Sequence, residues 1–366
     1  MKQFLITHVT LRNVDTQLPD TVTDTRMSSC SLLEVTVGGC EYSLTGRVLG
    51  QGGFATVYEA RTADGEIAAV KVVHDVSTLS PATRERLEQE NATLSLAQPH
   101  PNIVGFYGAC IQGDRHCFVQ EAMPGGDLLD LVLARETLPE YLAQSLVAQV
   151  LQALCWLHAK RICHGDVKPE NILCSLGSQR VKLADFGLAS LLPATGSAPP
   201  PPPFGSPLYA PPEAFHSFGA DVWACGVTTY MLLSGNFPFG CAAEVASLAP
   251  TFEDDCWLRA SPLAQDFIER LLRRDPSQRL TAEEALRHPW LANVGTTSPQ
   301  SSCMEPARAT ARKLERVQTS PTSKRCRPGA TDLGLARKRQ QLSPLPRLQN
   351  TMPLASPPFP FVQCLF

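Results

Sequence analysis

The strongest constraint on the fold is a change of pattern at Pro124-Gly125-Gly126. Ahead of it, short apolar or alternating runs read as strands: Glu41 to about Ala60 as strand, glycine turn and strand, then Glu66–Val73, Ile103–Cys110 and His116–Glu121. One polar helical stretch, Pro81–Ala97, interrupts them. Behind the glycines, apolar residues recur at helical spacing over Asp127–Ala134, Tyr141–Ala159, Ser217–Ser234, Pro262–Arg273 and Thr281–Leu286. A β-rich part followed by an α-rich part predicts an α+β chain in two lobes with a cleft between them.

The chain is long enough for this, at 366 residues with 43% hydrophobic and 18% charged. No run approaches the roughly 18 uninterrupted apolar residues of a membrane span, and Met1–His8 lacks an export-type apolar region. The 13 cysteines include no Cys-x-x-Cys pair, which suits reduced thiols and not a zinc site or a disulfide framework. The expectation is an intracellular protein, cytoplasmic and/or nuclear.

Charge divides the chain unevenly. Residues 1–294 carry a net −11 and residues 295–366 a net +8. The last stretch, from 293 on, is rich in Pro and Ser and poor in large apolar residues, and reads as a disordered basic tail. Residues 1–41 form an unassigned extension that either adds strands to the next domain or frays.

Three segments carry chemistry. Gly50-Gln51-Gly52-Gly53 lies between two predicted strands, where glycines let backbone N–H groups close over phosphate oxygens; an ordinary hairpin is the plainer alternative. Ala68-Ala69-Val70-Lys71 ends an apolar strand in a lysine, which alone reads equally as a snorkelling surface side chain. His164-Gly-Asp-Val-Lys-Pro-Glu-Asn171 and Asp185-Phe-Gly187 change the weighing. Two acidic groups and an asparagine in neighbouring loops can hold a divalent metal and orient a hydroxyl, while a lysine fixes phosphates.

In this order and spacing the motifs resemble the eukaryotic protein kinase superfamily, serine/threonine type. The resemblance implies a two-lobed protein kinase fold over residues 42–292. Its parts would be a small β-rich N-lobe (about 42–120), a hinge at 121–123 and a larger helical C-lobe (about 124–292). It also implies ATP with Mg2+ (or Mn2+) as cofactors. Carried over residue by residue, Asp166 accepts the proton of the substrate hydroxyl, with Lys168 near the transferring phosphate. Leu49, Gly50, Gln51, Gly52, Gly53, Val57, Ala69, Lys71, Glu121, Met123 and Leu173 line the ATP site. Asn171 and Asp185 hold the metal, and Glu90 is the ion-pair partner of Lys71, with Glu85 and Glu88 as alternatives. Gln120 stands at the gatekeeper position, Glu213 is expected to pair with Arg279, and Asp221 to buttress the catalytic loop.

Departures matter as well. Gly165 replaces the arginine that, in the family, receives a phosphorylated activation-loop residue, so phosphorylation at Thr195 or Ser197 is expected to matter less. Ala55 stands where a third glycine completes the loop pattern, and Pro211 replaces the usual alanine. Pro199–Pro203 reads as a stiff extended rod that either docks an SH3- or WW-type partner or is a plain spacer. Basic clusters between 324 and 339 resemble a nuclear-import signal read by a carrier; other anionic partners and simple solvation are the alternatives. Residues 307–317 allow a short basic helix like a calmodulin target or autoinhibitory segment. Asp127 and Glu170 resemble acidic positions that accept a basic residue upstream of the phosphoacceptor in protein substrates. The Asp275–Trp290 ending resembles, weakly, the calcium/calmodulin-dependent group, while His100–Cys110 equally suits kinases of the mitogen-activated cascade. The competing reading of another class is a catalytically weak or inactive kinase-fold scaffold that binds partners through its proline-rich segments.

Overall fold

Alternation of burial along the strands separates two cores. In the computed structural model, which describes residues 34–52, 55–177, 179–193, 206–213 and 215–292, the chain begins with β1 (Glu34–Val37), β2 (Cys40–Gln51), β3 (Ala55–Arg61) and β4 (Ile67–Val73). Helix α1 (Pro81–Ala97) follows, then β5 (Phe106–Gln112) and β6 (Arg115–Glu121). These strands form one antiparallel sheet in the order β1-β2-β3-β4-β6-β5.

The sheet curls until its two edges meet. Gln112 Nε2 donates to Glu34 O at 2.8 Å, Tyr42 stacks on Tyr107 with centroids 6.3 Å apart, and Val37 packs against Gly108, where a side chain would not fit. Val35, Val37, Tyr42, Leu44, Val70 and Val119 are among the residues that fill the interior. Among the described residues the sheet includes Glu34–Val37, ahead of the expected boundary at 42, so this stretch adds a strand.

Helix α1 is capped by Ser80, whose side chain accepts from Thr83 N, with Pro81 in the first turn where its missing N–H costs nothing. Strand β5 starts at Phe106, later than the expected Ile103. Ile103 bridges instead to Leu183, and Val104 N donates to Leu183 O at 2.9 Å, so this apolar stretch belongs to the second lobe's ladder.

The second lobe comprises α2 (Leu128–Arg135), α3 (Glu140–Ala159), β7 (Ile162–Cys163), β8 (Ile172–Cys174), β9 (Val181–Leu183), β10 (Ser190–Leu191), α4 (Phe218–Ser234), α5 (Ala242–Ser247), α6 (Pro262–Leu271) and α7 (Ala282–Leu286). Strands β7 and β10 pair, as do β8 and β9. Helix α3 is long and apolar enough to cross a membrane by length and composition, yet Leu146, Leu151, Leu154 and Leu157 on it are fully buried in the core. Helix α4 is buried along nearly its whole length and ends at Gly235 in the left-handed conformation (φ 71). Leu94, Ile103, Phe118 and Phe186 carry this second core up to the first lobe.

Candidate active site

Period two along β4 decides which of its side chains reach the cleft. Ala68, Val70 and Val72 turn into the first core, so Ala69 and Lys71 face the other way. Lys71 Nζ lies 2.6 Å from Glu90 Oε1 on α1 and 3.3 Å from Asp185 Oδ1. Glu90 is buried, whereas Glu85 and Glu88 are exposed on the same helix. Burial alone would lower the Lys71 ammonium, but the carboxylates of Asp185 and Glu90 outweigh it and hold the lysine charged well above neutral pH. Burial pushes the Glu90 carboxyl up against the pull of Lys71.

The loop between β7 and β8 is fixed from beneath. His164 N and Gly165 N donate to Asp221 Oδ2 and Oδ1 at 2.9 and 2.8 Å, and His158 Nε2 on α3 lies 2.9 Å from Asp221 Oδ2. Burial would raise the Asp221 carboxyl, but the His158 hydrogen bond leads the contacts that hold it below the usual aspartate value. His164 also meets the Phe186 ring edge-on, centroids 4.9 Å apart.

On that platform Asp166 gathers three polar partners. Asn171 Nδ2 donates to both its carbonyl oxygen and its Oδ2 at 2.8 Å. Lys168 Nζ lies 2.7 Å from Asp166 Oδ2 and donates to Ser206 Oγ at 2.8 Å. Ser206 Oγ in turn donates to Asp166 Oδ1 at 3.2 Å. A hydroxyl already rests on this carboxylate beside an ammonium, in the geometry that a general base needs toward an attacking alcohol.

The donor set also suits a metal. Ala184 N donates to Asn171 O at 2.8 Å, which brings Asn171 beside the residue that precedes Asp185. The Asp185 side chain is 52% exposed, and the Lys71 ammonium holds its carboxyl below the usual value. Among the described residues no group of three or more His, Cys, Asp or Glu could hold a metal unaided. An amide oxygen and a carboxylate fit instead a hard cation such as Mg2+, which takes few protein oxygens and completes its shell with phosphate and water.

The described residues expected at the nucleotide site lie on β2, β3, β4, β6 and β8 or directly after β2 and β6. Gly52 N donates to Ala55 O at 2.8 Å, closing the turn after Leu49, Gly50 and Gln51; Gly53 lies outside the described residues. Val57 pairs with Lys71 and Ala69 with Gln120 in the sheet register, and Leu173 sits on β8, all partly buried. Strand β6 ends at Glu121, two residues before Met123. The Glu121 N–H donates to Gly105 O at 2.8 Å, and its carboxylate accepts from Lys182 Nζ at 2.7 Å and Gly105 N at 3.0 Å.

These features sit within a recognisable whole: residues 44–291 match the family model described as protein kinase domain. The chain belongs to the protein kinase family. It is 33% identical over 277 residues to CDPK-related kinase 3 of Arabidopsis thaliana, covering 71% of this chain and 46% of that protein. It is 34% identical over 268 residues to death-associated protein kinase 2 of Mus musculus, covering 69% and 72%. With calcium/calmodulin-dependent protein kinase type I of Schizosaccharomyces pombe it shares 36% identity over 267 residues, covering 69% and 79%. The match spans under half the length of the plant relative. Protein kinases use ATP and a divalent metal.

No sequence motif marks Ser206, 40 residues from Asp166 in the chain, Lys182 or His158 as part of the site. Asp127, expected to accept a basic substrate residue, caps α2 with Oδ1 2.8 Å from Asp130 N; Glu170 is exposed. The Glu213–Arg279 pair forms, at 2.6 and 2.9 Å. Thr195, Ser197, Pro199–Pro203 and the basic clusters at 307–317 and 324–339 lie outside the described residues.

Proposed function

We propose that this kinase transfers the γ-phosphoryl group of ATP to serine and threonine hydroxyls of proteins. The arrangement of Asp166, Lys168 and Ser206 carries the reading. A substrate hydroxyl that takes the place of the Ser206 hydroxyl would donate to Asp166, which accepts its proton as the oxygen attacks the γ-phosphorus. Lys168, beside the same carboxylate, offsets charge on the transferring group. Lys71 holds the α- and β-phosphates and is kept in place by Glu90. Asn171 and Asp185 would hold Mg2+ (or Mn2+), whose charge neutralises that developing on the phosphate oxygens. A further relative, 34% identical over 277 residues, is named serine/threonine-protein kinase PKZ1 of Phytophthora infestans, which supports the choice of acceptor.

Exposed Glu170, close enough to Lys168, Asp127 and Asp166 to feel their charges, supports a preference for a basic residue upstream of the acceptor. The basic and proline-rich segments outside the described residues support a cytoplasmic and/or nuclear protein with import-carrier and SH3- or WW-type partners. Incubation of the full chain with labelled ATP, Mg2+ and a mixed peptide library, followed by phosphoamino-acid analysis, tests the activity. Phosphoserine and phosphothreonine in arginine-bearing peptides are expected. Phosphotyrosine alone would overturn the acceptor class, and ATP binding without transfer would favour the scaffold.

A further inference from the structure

Gly165, between His164 and Asp166, has φ 77, in the left-handed region that favours glycine. Position 165 is also closed by its surroundings. A β-carbon there would lie 2.6 Å from His216 Cε1 and 2.9 Å from Leu188 O. His216 is buried, and its Nδ1 is 3.4 Å from Ser190 Oγ on β10. Strand β10 pairs with β7, where Ser190 opposes Cys163, one residue before the loop. On the other side of His216, Ser217 caps α4 through Ala220 N and accepts from Cys163 Sγ at 3.3 Å. The imidazole thus stands where the loop carrying Asp166, the strand after Asp185-Phe186-Gly187 and the start of α4 converge.

Resting on the phosphotransfer reading, we infer that His216 is a positioning residue. Its ring fills the space beside Gly165 and holds the left-handed turn that aims Asp166, so the loop is seated by packing and not by an ion pair from position 165. Burial lowers the ring's pKa against the pull of the Asp221 and Asp166 carboxylates, and His164 and Arg86 lower it further; the wedge is neutral at neutral pH. Asp221 fixes the loop separately, by accepting its N–H groups. His216 acts through shape.

Steady-state kinetics of the full chain, with ADP affinity and thermal melting alongside, test this by space complementation. Gly165→Ala is expected to lower kcat about 10²-fold by misplacing Asp166, with ADP affinity changed less than about twofold because Lys71 and the hinge are untouched. His216→Gly is expected to lower kcat about tenfold with the same ADP affinity. The double variant G165A/H216G removes the 2.6 Å contact but keeps Leu188 O and the left-handed φ, so a partial recovery of about threefold over Gly165→Ala is expected. A general loss of structure would instead depress ADP binding and melting in all variants and show no recovery. His216→Gly with the wild-type kcat, or a double variant no faster than Gly165→Ala, overturns the inference. Where Gly165→Ala alone does not fold, the His216→Gly kcat decides. An inactive wild type would count against the phosphotransfer reading; wild-type activity with unaffected variants would count against His216 alone.

Discussion

Lys71 on β4 and Glu90 on α1 form a 2.6 Å ion pair that fixes the helix of the first lobe against its sheet. One residue earlier on α1, Gln89 Nε2 donates to Ala189 O at 2.9 Å. The position of α1 is thereby tied both to the strand that holds Lys71 and to the segment after Asp185-Phe186-Gly187. Helix α1 is thus held by contacts to both lobes.

Substituting Lys71→Met removes the cation from a buried carboxylate. Glu90 is already pushed toward its neutral form by burial, so it takes up a proton, and the loss of stability is expected to be about 1–3 kcal/mol. Phosphotransfer is expected to fall about 10²–10³-fold, as when a preorganised donor is lost from an active site. Urea denaturation and turnover measured on the same preparation check both numbers. Glu90→Gln, which keeps a hydrogen-bond acceptor, is expected to lose less of each.

Arg279 should be a stability residue with no direct part in turnover. Its side chain is 0% exposed, and it donates to both oxygens of Glu213, to Gly219 O and to Arg273 O, with its guanidinium 5.1 Å from the Trp223 ring centroid. Arg279→Ala leaves Glu213 buried and unpaired, and is expected to cost about 3–5 kcal/mol. Arg279→Lys should recover little, because one ammonium cannot replace a planar fork with several acceptors. Thermal or chemical unfolding measures both.

Acid stability should depend on Asp221. Its carboxyl is held below the ordinary value of 3.8 in the folded chain, so the folded state binds this proton less readily than the unfolded one. That contribution is complete above the unfolded value and is lost as pH falls through the lower folded value. Stability is therefore expected to drop as the pH falls below about 4. Asp221→Asn should be less stable at neutral pH and show a flatter dependence across this acid limb, read from denaturation midpoints at a series of pH values.

Removal of divalent metal by chelation is expected to stop transfer, and added Mg2+ to restore it, because Lys71 alone cannot neutralise a triphosphate. Asp185→Asn should remain inactive even at high Mg2+. Asn171→Ala should need more metal, seen as a right shift in the Mg2+ dependence of turnover.

Much of this site was readable in the sequence because its pieces are local. His164–Asn171 and Asp185–Gly187 are short strings, and the alternation that sends Lys71 away from Val70 and Val72 is visible within β4. Helices α3 and α6 are amphipathic enough for their periodicity to stand out, α6 most of all. Strand β1 is not: four residues cannot establish a period, and its place depends on β5 lying at the far edge of the sheet. Ile103 and Val104 are apolar and β-branched and read as strand, but their partner is Leu183. The contacts Ser206–Asp166, His158–Asp221 and Lys182–Glu121 join residues 40, 63 and 61 positions apart. No local pattern encodes those meetings; the packing of α3, α4 and β9 creates them.

The most direct test of the account is a comparison of wild type with Asp166→Asn for labelled γ-phosphate incorporation into a serine-containing peptide, at saturating ATP and Mg2+. Asparagine keeps the size and, through its oxygen, the hydrogen bond from Asn171, but cannot accept the substrate proton. Normal nucleotide binding with transfer lowered at least about 10²-fold is the expected result. Asp166→Asn turnover equal to that of the wild type would contradict the central role given to this carboxylate.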